Sequence, residues 1–173
     1  MKAEDFANQE PRFLIEDYFA GQTKAWGIFQ DRFGTLRRQF VVDITGRWDG
    51  ETLTLVEDFV YDDGKTEQRT WHIRKTGEHS YEGKADGVIG LASGESYGNV
   101  LNWRYDFALK IGESTWNVHF DDWMFLQGDG VMINRAVVTK FGIELGQLTI
   151  SFRKPEPRAA SAAEAPPGRQ ATR

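Results

Sequence analysis

The chain of 173 residues is 40% hydrophobic and 13% aromatic, has 18 glycines and no cysteine, and carries a formal net charge of −5. That length fits one domain with a sizeable core, and the hydrophobic content is enough to fill it. The lack of cysteine excludes disulfides, Cys-based zinc sites, thiolate nucleophiles and thioether acyl anchors, and a negative balance with no Lys/Arg run argues against a nucleic-acid partner.

Residues 1–12 read as a polar N-terminal arm. They show no basic segment followed by an apolar one, and no stretch of the chain approaches the roughly 18 apolar residues of a membrane span, so a cytoplasmic protein without a transmembrane segment is expected. Phe13 to Gly21 reads as a short helix or turn, with Phe13, Leu14 and Tyr18 placed to plug one end of a barrel. From Lys24 the hydrophobic period becomes two. Strand-type runs follow at 24–31, 36–48, 51–61, 65–75, 79–85, 88–92, 99–111, 116–126, 131–141 and 147–153. Turn signals separate them at Asp49-Gly50, Asp62-Asp63-Gly64, Thr76-Gly77 and Gln127-Gly128-Asp129-Gly130. No helical segment long enough for a parallel crossover intervenes. The expected fold is therefore all-β: an antiparallel up-and-down barrel of about ten strands over residues 13–154. A sandwich is the alternative. The Ala- and Pro-rich stretch 155–173 reads as a disordered tail.

Alternation assigns faces. Leu101, Trp103, Tyr105, Phe107, Leu109 and Ile111 share the apolar face of their strand. A four-residue turn at 112–115 continues that face through Val118, Phe120, Asp122, Met124 and Leu126. Taking Gln127–Gly130 as the next turn carries it to Ile133, Arg135, Val137 and Phe141, with Arg135 opposite Asp122. In the earlier hairpin, a three-residue turn at 62–64 sets Glu57 against Arg69, Leu55 against Trp71 and Leu53 against Ile73. Two hairpins thus each place one acid and one base on an apolar face. A lone buried charge is too costly to keep, so Glu57–Arg69 and Asp122–Arg135 are expected to pair. Such pairs could equally serve only to fix register.

Other chemical-looking signals carry less. Gly94-Glu95-Ser96-Tyr97-Gly98 has the spacing of an esterase elbow, which needs a strand-to-helix turn in an α/β sheet; here it falls in a Gly/Ser-rich connection. Asp121 and Asp122 point to opposite faces and cannot converge on one atom. His72 and His119 fall on the outer face and His79 near a turn, so neither an axial haem ligand nor a metal site emerges, and no cofactor is expected.

Several segments resemble one uncharacterised bacterial group, domain-of-unknown-function family 3833. They are Ala25-Trp26-Gly27-Ile28-Phe29-Gln30-Asp31-Arg32-Phe33-Gly34, Leu55-x-Glu57-x-Phe59, Arg69-x-Trp71, Phe120-Asp121-Asp122-Trp123-Met124, Asn134-Arg135-Ala136 and Lys140-Phe141-Gly142. The resemblance spans about residues 13–153 and implies a lipocalin-like barrel, with many members exported as lipoproteins. It implies no activity. The residues themselves point to a barrel that binds a small amphipathic or anionic, lipid-like ligand. The candidate lining is Glu57, Arg69, Trp71, Trp103, Tyr105, Asp122 and Arg135. The alternatives are an enzyme using a buried carboxylate as acid or base, and a structural protein with a filled barrel.

Overall fold

The computed structural model describes residues 1–156. Ten strands follow in chain order: β1 (Gly21–Asp31), β2 (Leu36–Trp48), β3 (Thr52–Tyr61), β4 (Thr66–Lys75), β5 (Ser80–Lys84), β6 (Val88–Tyr97), β7 (Val100–Ile111), β8 (Ser114–Leu126), β9 (Val131–Lys140) and β10 (Ile143–Arg153). Each pairs antiparallel with its sequence neighbour, and β1 pairs with β10, closing a ten-stranded barrel with no free edge. This is the up-and-down meander expected from the short turns. The tail expected at 155–173 lies almost wholly outside the described residues.

Small residues let the wall close around bulky ones. Gly83 and Gly94 leave room for the Trp103 indole, and Gly27 for the Phe40 ring. The lumen is lined by Ala25, Phe40, Val42, Ile44, Leu53, Leu55, Trp71, Trp103 and their neighbours, all buried. Charged residues such as Lys24, Asp43, His72 and Arg104 face outward and are exposed.

The segment before β1 closes one end. Phe13 and Ile15 are fully buried, and α1 (Ile15–Tyr18) forms a single turn across the opening. Gly46 lies so close to the Phe19 carbonyl that a Cβ there would overlap it. Glu16 anchors the turn: it accepts hydrogen bonds from Lys75 Nζ (2.5 Å) and Tyr81 Oη (2.7 Å). The arm ahead of it lies on the outside, where the Phe6 ring packs edge-on against Phe125 (centroids 6.0 Å apart). Among the described residues, nothing covers the opposite end, between the β1–β2, β3–β4, β5–β6, β7–β8 and β9–β10 turns, in this way.

Two registers differ from expectation. The β7–β8 turn is two residues long, pairing Ile111 with Ser114, so Trp103 rather than Tyr105 faces Asp122 and Tyr105 faces Phe120. That two-residue difference leaves every side chain on its expected face. The β8–β9 turn has the larger consequence. Gln127 still belongs to the ladder, donating its N–H to the Val131 carbonyl. The loop is only Gly128-Asp129-Gly130, with Asp129 (φ 58°) and Gly130 (φ 69°) both left-handed. Leu126 therefore pairs with Met132, not Val131. The one-residue shift turns Met132, Asn134, Ala136 and Val138 inward and sends Ile133 and Arg135 out.

Candidate functional site

The lumen's polar groups come from four strands. The β3–β4 turn has the expected three residues, with Gly64 left-handed (φ 81°), and it places Glu57 opposite Arg69 and Leu55 opposite Trp71. β7 supplies Trp103 and Tyr105, β8 supplies Asp122, and β9 supplies Asn134. Glu57 and Tyr105 are half-buried.

The expected charge pairs do not form as written. Arg69 lies across from Glu57, yet its Nη2 donates to Glu67 Oε1 at 3.0 Å, and Glu67 also accepts from the Tyr61 hydroxyl at 2.8 Å. The Arg69 guanidinium stands 4.8 Å from the Phe107 ring centroid and 5.4 Å from that of Phe59, a cation–π arrangement suited to a part-buried cation. Arg135 is corrected outright: it is exposed on the outer wall, where Nε and Nη2 donate to Gln147 Oε1 at 3.0 and 2.6 Å. Asp122 meets Asn134 instead, whose Nδ2 donates to Oδ1 at 2.7 Å. Asp122 Oδ2 and Asn134 Oδ1 are buried with no partner among the described residues.

The electrostatics follow from this incomplete pairing. Burial pushes Glu57 up to about 7, against the pull of Arg69 and with a further push from Asp122. Burial also raises Asp122 to about 7, with the Asn134 amide opposing it weakly. Tyr105 is driven well above its ordinary value by burial and the nearby acids, so it keeps its proton and remains a donor. The aromatic walls are close: Tyr105 stacks on Phe120 with centroids 4.9 Å apart, and Trp71 meets Tyr105 edge-on at 5.3 Å.

Two concavities lie elsewhere. One of about 260 Å³ sits beside α1, between Arg12, Leu14 and Lys154. One of about 230 Å³ lies against the β5–β7 wall, around Ser80, Glu82, Ser93 and Arg104. Neither contains the polar groups described above. The lumen remains the candidate site because acids, a cation and a donor converge there with bonding capacity unused.

The weaker motifs resolve as structure. Gly94–Gly98 spans the end of β6 and the turn after it, rather than a loose connection. Ser96 Oγ is buried and donates to the Phe13 carbonyl, holding the plug. His79 bonds the Ser96 carbonyl through Nδ1 (2.8 Å), and its ring stacks on Tyr97. His119 pairs with Asp106 on the outer wall (2.8 Å). Sequence reasoning missed Asn134, Glu67 and Glu16. Glu67 was detectable, since it lies two residues before Arg69 and shares its face.

A closed antiparallel barrel, plugged at one end, with a small set of ionisable groups in an aromatic lumen, is lipocalin-like in architecture. The chain belongs to the family described as Protein of unknown function (DUF3833), whose model matches residues 1–154. No curated protein matches the sequence. Among solved structures, it is similar to the S-type phycobiliprotein lyase CPES from Guillardia theta. That likeness has a TM-score of 0.61 at 8% identity and covers 83% of this chain and 92% of that chain. At that identity the likeness is one of fold.

Proposed function

We propose that the barrel binds a small amphipathic ligand with an anionic head, entering from the open end. The observation that carries the proposal is the half-buried Glu57 standing opposite Arg69 across the β3–β4 ladder without an ion pair between them, inside aromatic walls and near Tyr105. Arg69 meets the anionic head, Tyr105 donates a hydrogen bond, and Trp71, Trp103 and Phe107 cover the apolar part. Because the rings are closely packed, entry requires the mouth-side rings to turn aside. A phycobiliprotein lyase with this fold supports small-molecule binding in general terms.

An anion beside Glu57 and Asp122 raises their affinity for protons, so binding takes up a proton and strengthens as pH falls through about 7. The test is titration of a fluorescent fatty acid and its neutral ester, read by tryptophan quenching at several pH values and corrected for the acid's own ionisation. The acid should gain affinity towards low pH, and Arg69→Ala should weaken it about tenfold while leaving the ester within about threefold. Equal, pH-independent affinity for both forms removes Arg69 from the site. No binding of either leaves a filled structural barrel.

A second reading, acid–base catalysis, is favoured by the position of Glu57 near pH 7, where a carboxyl can both take and give a proton. A library of hydrophobic esters, lactones and isomerisable substrates tests it: Glu57→Gln should abolish turnover while retaining binding.

A further inference from the structure

The rim of the open end is divided. Around the barrel, β2, β1, β10, β9, β8 and β7 are consecutive, so the β1–β2, β9–β10 and β7–β8 turns stand side by side. This arc exposes Phe33 (78%), Leu36, Ile111, Trp116, Phe141 (92%) and Ile143. The β3–β4 and β5–β6 turns on the other arc carry Asp62, Asp63, Lys65 and Asp86; Val60, Ile89 and Leu91 are exposed beside them, but no aromatic is.

Phe141 is the most informative of these. Phe141 and Gly142 form a two-residue turn between Lys140 and Ile143, with φ of 49° and 75°. This is the type I′ pattern, whose first position favours Asn, Asp or Gly. A bulky L-residue there is strained, because its Cβ crowds the following carbonyl, and an exposed ring returns no packing. A strained, fully exposed aromatic is explained by a contact outside the chain.

The cations are arranged to match. Lys140 Nζ stands 4.6 Å from the Trp116 ring centroid and 5.3 Å from that of Phe141, and the Arg32 guanidinium 4.8 Å from that of Phe33. Arg37 and Lys110 share this arc. Of its acids, Asp31 is occupied in bonding the Phe33 and Thr35 amides and Arg37, Glu144 accepts from Gln147, and Glu113 is exposed at the β7–β8 tip, so the cations Arg32, Arg37, Lys110 and Lys140 outnumber the acids by one. Aromatic and basic residues interleaved at loop tips fit the headgroup region of a bilayer.

We propose that this arc docks on an anionic lipid surface, with Phe33, Trp116 and Phe141 among the headgroups and Arg32, Lys110 and Lys140 against the phosphates. The contact is at the rim, because on the outer wall exposed apolar residues such as Trp26 and Ile133 are interspersed with Lys24, Asp43, His72, Arg74 and Arg104. The chain's net charge of −5 repels such a surface elsewhere, so docking is oriented, with the mouth of the lumen towards the membrane.

The experiment is co-sedimentation with vesicles of phosphatidylcholine alone and of phosphatidylcholine with about one-third phosphatidylglycerol. Wild type should bind the mixed vesicles at least about tenfold better. Phe141→Asn restores the residue the turn prefers, so its melting temperature should hold or rise while vesicle binding falls several-fold. Lys140→Glu should reduce binding similarly, and Asp63→Asn on the opposite arc should not reduce it. Three results overturn the proposal: wild type fails to bind, binding is indifferent to the anionic lipid, or Phe141→Asn combined with Phe33→Ser binds as wild type does. Self-association of the protein that disappears with those two substitutions, without vesicle binding, would assign the arc to a protein contact instead.

Discussion

Glu16 at the plugged end and Asp122 in the middle of the lumen are both buried carboxylates, exposed by 7% and 5%, and the fold treats them in opposite ways. Burial works against charge on Glu16, but the bonds from Lys75 and Tyr81 outweigh it and hold its pKa below the ordinary value. Asp122 receives one amide and keeps an orphaned oxygen, and burial carries it up to about 7. Completing the shell of Glu16 gives a fixed negative charge that holds α1 to the barrel. Leaving the shell of Asp122 incomplete gives a group poised to change protonation, a property of no use to packing.

The largest expected effect breaks the closed end. Glu16→Ala strands the Lys75 ammonium and the buried Tyr81 hydroxyl. It should cost about 3 kcal/mol in urea denaturation, the lower end for a buried pair, because Lys75 is partly exposed. A loss under about 1 kcal/mol would mean that apolar packing of Phe13 and Ile15 alone holds the plug.

The lumen should respond with the opposite sign. Between its unfolded value of 3.8 and its folded value of about 7, Asp122 binds a proton in the native state that the unfolded chain has released. Stability contributed this way falls as pH rises through that window and levels off above it, whereas the contribution of Glu16 is present above its ordinary value of 4.5 and lost as pH falls. Asp122→Asn keeps an acceptor for Asn134 and removes the titration. It should raise stability by about 1–3 kcal/mol near pH 8 and change it little below about pH 4. Glu57, also near 7, leaves a residual slope in that variant. An unchanged profile would show that Asp122 is hydrated and ordinary.

The same two sets of residues show what the sequence could disclose. Register in the β3–β4 hairpin was legible because Asp62-Asp63-Gly64 allows one loop length that keeps Trp71 and Ile73 on the apolar face. In β9 the two faces, Met132/Asn134/Ala136/Val138 and Ile133/Arg135/Val137, are equally apolar, so alternation could not choose between them. The choice then fell to the turn, and reading Gln127–Gly130 as a four-residue loop misled, because Gln127 still bonds across the ladder and the loop is only Gly128–Gly130. The plug at Phe13–Gly21 was legible from its apolar residues. Its anchor was not, since Glu16 meets Lys75 and Tyr81 only across the closed barrel. Phe141, expected on the inward face with Ile133, Arg135 and Val137, is instead the exposed first residue of the β9–β10 turn, and Phe33 lies between the expected strands, where alternation assigns no face.

The smallest expected effect separates the lumen from the wall. With its guanidinium bonded to Gln147 and open to solvent, Arg135→Ala should change stability by no more than about 0.5 kcal/mol. Arg135 and Asp122 point to opposite sides of the wall, although Asp122 pairs with the adjacent Ala136. Backbone proximity gives them no shared partner, so a double-mutant cycle of Asp122→Asn and Arg135→Ala should be additive within about 0.5 kcal/mol. Arg69→Ala with Asp122→Asn should not be additive, because the Arg69 charge acts on Asp122 through the lumen. Removing Arg69 pushes Asp122 and Glu57 higher still, so the Arg69→Ala variant should lose stability with rising pH more steeply than wild type, and Asp122→Asn should relieve part of that loss. Coupling of Arg135 to Asp122 above about 1 kcal/mol, with none for Arg69, would return Arg135 to the lumen and reverse the β9 register.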